Sequence, residues 1–120
     1  MPLTSKYLYV ATMDVDSDKE ALFNEVYNEE HVPVLNEVPG VLSVTRFQRE
    51  NEVAIVIGGE KRIIRTDNEP KYTAFYELES PDVLTSEAWT AAVDKGRWPE
   101  QVRPYTRNKR FVMMKLVYPE

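Results

Sequence analysis

The chain has 120 residues, 42% hydrophobic and 29% charged, with a formal net charge of -5 and no cysteine. That length supports one domain with a real core, and the composition is that of an ordinary globular protein. Disulfides, thiolate nucleophiles and thiolate metal sites are excluded, no apolar run approaches the roughly 20 residues of a membrane span, and the negative balance disfavours nucleic acid and anionic membranes. The opening Met1-Pro2-Leu3-Thr4-Ser5-Lys6 has no apolar core behind a basic cluster, so no secretion signal is expected and the location expected is cytoplasmic.

The first strand is predicted over Lys6 to Met13, with Tyr7, Tyr9, Ala11 and Met13 on one face and Leu8, Val10 and Thr12 on the other. Ser17 and Glu20 have the spacing of a capping box, which opens a helix carrying Leu22, Phe23, Val26 and Tyr27 at helical spacing. The four-residue step from Phe23 through Tyr27 reaches His31, the only histidine, and then Leu35. Pro33 lacks an amide donor and crowds the preceding turn, so the regular helix is expected to end or kink near His31. Pro39-Gly40 makes a turn. A second strand follows over Val41 to Gln48, with Val41, Ser43, Thr45 and Phe47 on one face and Leu42, Val44, Arg46 and Gln48 on the other.

Val53 to Ile57 and Arg62 to Thr66 are short strand candidates around Gly58-Gly59. They form either an extra hairpin within residues 51–66 or a prolongation of a neighbouring strand through a bulge. Tyr72 to Glu79 is the next strand, with Tyr72, Ala74, Tyr76 and Leu78 on one face. Ser80-Pro81 starts a second helix whose stripe is Leu84, Ala88, Ala91 and Ala92, widened by Val83 and Trp89 and ended by Gly96. Arg97 to Asn108 reads as irregular, and Lys109 to Tyr118 as the last strand.

The order strand-helix-strand occurs twice within residues 1–120, read as one domain. Two amphipathic helices can cover one face of a four-stranded antiparallel sheet, which makes the class α+β. Large apolar groups, among them Phe47, Phe75, Phe111, Met113 and Met114, are too many to lie under two helices. A second copy packed sheet to sheet would remove that surface from water, so a homodimer is expected.

Tyr27-Asn28-Glu29-Glu30-His31-Val32-Pro33-Val34-Leu35, followed by Val38-Pro39-Gly40-Val41, resembles the EthD-like branch of the dimeric α/β-barrel superfamily. The resemblance extends over most of the chain and is poorest over Asn51 to Pro70. It implies a ferredoxin-like monomer whose sheet pairs with a second copy to form a barrel, with room between sheet and helices for a small organic molecule. His31 matches the histidine of the EthD-like helix, and Pro33, Pro39 and Gly40 match its proline and turn positions. The superfamily includes monooxygenases, cyclases and isomerases, so the resemblance implies a fold more narrowly than a reaction.

His31 titrates near neutrality when unperturbed and is the candidate acid/base group. A structural residue at a helix end and a ligand contact are the alternatives. Tyr7, Tyr9, Tyr27, Tyr72 and Tyr76 are candidate contacts for a planar ligand, or sheet-packing residues. Arg46 is a candidate to oppose charge on an enolate or phenolate, or a solvated strand-edge group. Trp89 and Trp98 are read as anchors for the second helix and the following loop, with ligand contact as the alternative. The basic run Lys95, Arg97, Arg103, Arg107, Lys109 and Arg110 is a solvated surface or a local anion site. Asp14, Asp16 and Asp18 do not by themselves make a metal cage, so no metal and no cofactor are expected. Together these residues predict binding of a small apolar or aromatic molecule, with a metal-free lyase, cyclase or isomerase step at His31. A non-enzymatic binding or structural dimer and a cofactor-independent monooxygenase are the alternatives.

Overall fold

The computed structural model describes Leu3 and residues 5–119. The N-terminal segment on which the secretion expectation rests lies partly outside the described residues.

Strand β1 (Tyr7–Val15) leads through a short 3-10 turn (Ser17–Lys19) into a helix built in three pieces: α1 (Glu20–Val26), a π turn (Tyr27–His31) and α2 (Val32–Asn36). β2 (Val41–Gln48) follows, then β3 (Glu52–Ile57), β4 (Glu60–Arg65) and β5 (Tyr72–Leu78). A 3-10 segment (Pro81–Thr85), α3 (Glu87–Ala92), a second π turn (Trp98–Val102) and a 3-10 turn (Arg103–Tyr105) carry the chain to β6 (Thr106–Lys115). The main sheet has the order β2-β5-β1-β6 and is antiparallel throughout, the ferredoxin-like arrangement. No helix among the described residues is long and apolar enough to cross a membrane.

Alternation along β1 and β5 builds the core. Ala11 and Met13 from β1 and Tyr72, Ala74, Tyr76 and Leu78 from β5 are buried with Phe23, Val26, Tyr27 and Leu35 of the helix. The register pairs Tyr9 with Tyr76 and Ala11 with Ala74, so side chains of one parity converge under the helices. The opposite parity carries Phe75 and Val112 across from Val10, and leaves Phe47, Val112 and Met114 at 58%, 45% and 49% exposure.

Several local expectations are corrected. The Ser17–Glu20 capping box does not form, because the Glu20 carboxylate accepts instead from Lys71 Nζ and Tyr72 Oη. Of the two alternatives for the first helix, the chain does not end it near His31; the regular pattern is interrupted there, over Tyr27–His31. The widened turn ahead of Pro33 bonds the Val32 amide to the Tyr27 carbonyl, five residues back, and the helix resumes to Asn36. A register shift between Val41 and Ser43 puts Val41 opposite Leu78 in the core and leaves Leu42 exposed, so Val41 does not share the face of Ser43. The second helix divides at Ser86, whose extended backbone and side-chain oxygen cap a separate α3; Ala88 and Ala91 are exposed. The last strand starts at Thr106 and ends at Lys115, leaving Val117 and Tyr118 beyond it.

β3 and β4 form a separate two-stranded sheet, register Val53 to Ile64 and Ile57 to Glu60. Gly58 and Gly59 turn between them with φ of +61° and +82°, the left-handed values of a tight hairpin turn. Every residue of this ribbon is exposed, including Val53, Ile55, Ile57 and Ile64. The radius of gyration is 16.1 Å, against about 14 Å for a compact chain of this length, consistent with a projecting arm.

Candidate functional site

A cavity of about 200 Å³ lies between the helix-covered face of the sheet and the helical segments. Tyr9, Ala11 and Met13 of β1 and Tyr76 of β5 form its floor, as their shared parity requires. Tyr27, His31 and Leu35 descend into it from the first helix at four-residue intervals. Trp89, Val93 and Trp98 close one side, and Arg103, Thr106, Lys109 and Phe111 complete the wall. Two larger grooves of about 500 and 680 Å³ lie over the opposite face of the sheet, without the histidine.

His31 is 7% exposed. Its ring lies flat on Trp98, centroids 4.1 Å apart and planes 14° from parallel, and meets the Tyr27 ring edge-on at 5.0 Å. Burial, then the positive charges of Arg103 and Arg46, push the imidazole down to about 3. The ring is therefore neutral at physiological pH. Its Nδ1 is buried and has no hydrogen-bond partner among the described residues. In either neutral tautomer that atom is a donor or an acceptor left unmatched, which costs about 1–3 kcal/mol.

The tyrosine hydroxyls are protonated. Tyr27 Oη and Tyr76 Oη share a hydrogen bond of 2.8 Å. Burial raises Tyr27, puts Tyr76 well above its usual range, and pushes Tyr9 up to about 12, with Tyr27 adding to the rise at Tyr9. Tyr9 also stacks on Phe111 and meets Trp89 edge-on. Such a wall presents flat apolar surface and neutral O–H groups.

His31, Tyr9, Tyr27 and Tyr76 thus come together, whereas Tyr7, Arg46 and Tyr72 lie off the cavity wall. The Arg46 guanidinium covers the Tyr27 ring at 4.2 Å and donates to Asn28 Oδ1 (2.7 Å) and Asn24 Oδ1 (2.9 Å). Tyr72 donates to Glu20 and accepts from Asn24 Nδ2, tying α1 to β5. Tyr7 is half-buried, with Lys6 Nζ 5.9 Å from its ring.

The Trp98 segment is clamped to the first helix through Arg97. Its amide donates to Glu30 Oε1 at 3.0 Å, its Nε donates to Glu30 Oε2, and its Nη1 pairs with Glu25 at 2.8 Å. Gly96 precedes it with φ +68°, and a Cβ there would collide with Glu30 Oε1. Periodicity reads Trp89 and Trp98 as anchors, with ligand contact as the alternative, and leaves Thr106 and Phe111 unremarked as wall residues. The signal for Arg103 and Lys109 was the basic run, which does not say which of its members turn inward.

Neither a protein-family model nor a curated protein sequence matches the chain. Solved structures do. The heme-degrader MhuD from Mycobacterium tuberculosis, with two hemes bound in its active site, aligns at TM-score 0.60 and 11% identity over 92% of this chain and 95% of its own. An ethyl tert-butyl ether degradation (EthD) family protein from Bacillus halodurans aligns at 0.57 and 13%, over 93% and 99%. A putative antibiotic biosynthesis monooxygenase from Nitrosomonas europaea aligns at 0.53 and 14%, over 99% and 98%. At such identities the likeness establishes the fold. The chain has the ferredoxin-like α+β fold that these proteins share.

Proposed function

We propose that the cavity binds a small planar metabolite of aromatic or polyketide-like type and that His31 exchanges a proton with it in a metal-free lyase, cyclase or isomerase step. The position of His31 on the cavity wall, with a buried Nδ1 unpartnered among the described residues, supports this reading, because a rotation of the ring toward the cavity would give that nitrogen a partner in a bound O–H, N–H or acidic C–H. A neutral imidazole takes the proton of such a group, the bonding pair stays behind as an enolate or phenolate, and the proton returns at another position. Burial, and after it the positive charges of Arg103 and Arg46, lower the proton affinity of the empty site. The same charges stabilise the anion that deprotonation leaves, and that anion in turn restores basicity to the imidazole. A cavity of about 200 Å³ is below the roughly 300–1,000 Å³ of drug-sized ligand pockets, so one or two fused rings suit it and a tetrapyrrole does not.

Cofactor-independent oxygenation is the second reading, favoured by the likeness to the putative monooxygenase. The same ligand anion would then react with dioxygen, and oxygen consumption separates the two. The experiment is a screen of phenolic and β-keto aromatic compounds for quenching of Trp89 and Trp98 fluorescence. Deuterium incorporation from D2O into the bound compounds is then followed by NMR. His31→Asn should cut incorporation by 10² or more while circular dichroism stays unchanged. Equal incorporation in the variant would remove His31 from the chemistry, and binding with no exchange or oxygenation in the wild type would leave a non-enzymatic binding protein.

The homodimer is part of the same proposal. Phe47, Phe75, Val112 and Met114 offer the apolar face that a second sheet would cover, and the exposed Val53, Ile55 and Ile57 of the arm would gain cover from the same partner. A two-stranded ribbon alone is marginal in water, which adds weight to a packed arm.

A further inference from the structure

Resting on the reading of the cavity as the ligand site, we infer that the ligand is an anion, a planar aromatic carboxylate, whose charged end is received by Lys109 at the cavity mouth with Arg103 beside it. The chain as a whole has 20 acidic and 15 basic side chains. The described cavity wall reverses that balance: it holds Arg103, Lys109 and the neutral His31, and no Asp or Glu. A positive wall on a negative protein is a local field that attracts anions and repels cations.

Lys109 stands on the cavity face by ordinary alternation with Phe111, two residues on, and a bulge brings Thr106 to the same face. Thr12 pairs with Arg110, but Asp14 pairs with Arg107, so β6 carries one extra residue against β1. Asn108 sits in that bulge with φ +52°, and its Nδ2 donates to Asp14 Oδ2 at 2.8 Å. Along an unbroken strand, residues three apart point to opposite faces. The bulge cancels that alternation and lets Thr106 and Lys109 both face the cavity. Asp14 is already used: its other oxygen accepts from the Lys71 amide at 2.8 Å.

The two cations differ in what they have left to give. Arg103 donates through Nη2 to the Val93 carbonyl (2.6 Å) and to Asp94 Oδ1 (2.8 Å), so it is held in place and half neutralised. Lys109 makes no ion pair among the described residues. A carboxylate at the mouth would complete it, with the ring system inside against Tyr9, Trp89 and Phe111.

The test uses 1-naphthoate and neutral 1-naphthamide, of nearly the same shape, titrated against the full chain by tryptophan fluorescence. The acid should bind about tenfold more tightly than the amide, and only the acid's affinity should fall between 20 mM and 500 mM salt, where screening shortens to a few ångströms. Lys109→Met should raise the acid's Kd to that of the amide, and Lys109→Arg should restore the preference. Lys61→Met, a loss of the same charge on the exposed arm, should leave the preference unchanged. If acid and amide bind equally to the wild type, or Lys109→Met keeps the preference, the anion assignment is wrong and the cavity reading stands. If neither binds at millimolar concentration, with His31 resonances unmoved, the cavity reading falls and this inference with it.

Discussion

His31 and Trp98 lie face to face, their centroids 4.1 Å apart, although 66 residues of chain separate them. That stack forms one lid of the cavity, and it ties the protonation of the imidazole to the packing of a segment on the other side of the sequence.

Acid sensitivity should report this burial. The imidazole titrates at about 3 in the folded chain, below the 6.5 of the unfolded one. Below pH 6.5 the unfolded state binds the proton that the folded state refuses. The stabilisation is therefore complete above pH 6.5 and is lost as pH falls toward 3, by up to about 1.4 kcal/mol per pH unit. Glu20 and Glu30, both lowered from 4.5 by their partners, add losses only below about pH 5. Urea melts between pH 5 and 6.5 should show the slope in the wild type and a flat line in His31→Gln.

Replacing Trp98 by Leu should cost about 2 kcal/mol or more, the usual scale for trimming a buried aromatic. It should also let the His31 pKa climb from about 3 toward 6.5 as water reaches the ring. A histidine NMR titration distinguishes this from loss of packing alone; an unmoved pKa would show that Trp98 does not shield the imidazole.

Gly96→Ala should destabilise by about 1–2 kcal/mol from its positive φ alone, and by more because the new methyl group displaces Glu30 Oε1. In a Glu30→Ala background only the backbone share should remain. Denaturant midpoints of the double-mutant cycle measure the difference, and strict additivity would deny the contact.

Sedimentation should find a dimer at micromolar concentration, and Val112→Glu on the open sheet face should give a folded monomer. A wild-type chain that sediments as a monomer would leave that apolar face to another role.

Much of the fold was legible because alternation is a local signal. Tyr9, Ala11 and Met13 share a face wherever β1 is placed, and the Phe23-Tyr27-His31-Leu35 step aligns one helical stripe whatever packs against it. The errors lie where distant partners outcompete local ones. Glu20 has the spacing to cap its own helix, yet Lys71 and Tyr72 claim it. Arg46 has the right strand parity for the helix side, but Asn24, Asn28 and the Tyr27 ring hold it off the cavity.

By itself the sequence determined the class of fold, the parity of β1 and β5 and the presence of one histidine on an apolar stripe, since periodicity needs only neighbours in the chain. The tertiary structure alone decided that this histidine would be dry, stacked and neutral. It also decided that Arg103 and Lys109, out of a run of basic residues, would line the cavity with it. Desolvation depends on which remote atoms displace water, and a bulge takes its effect from the strand opposite; neither quantity exists until the chain has folded.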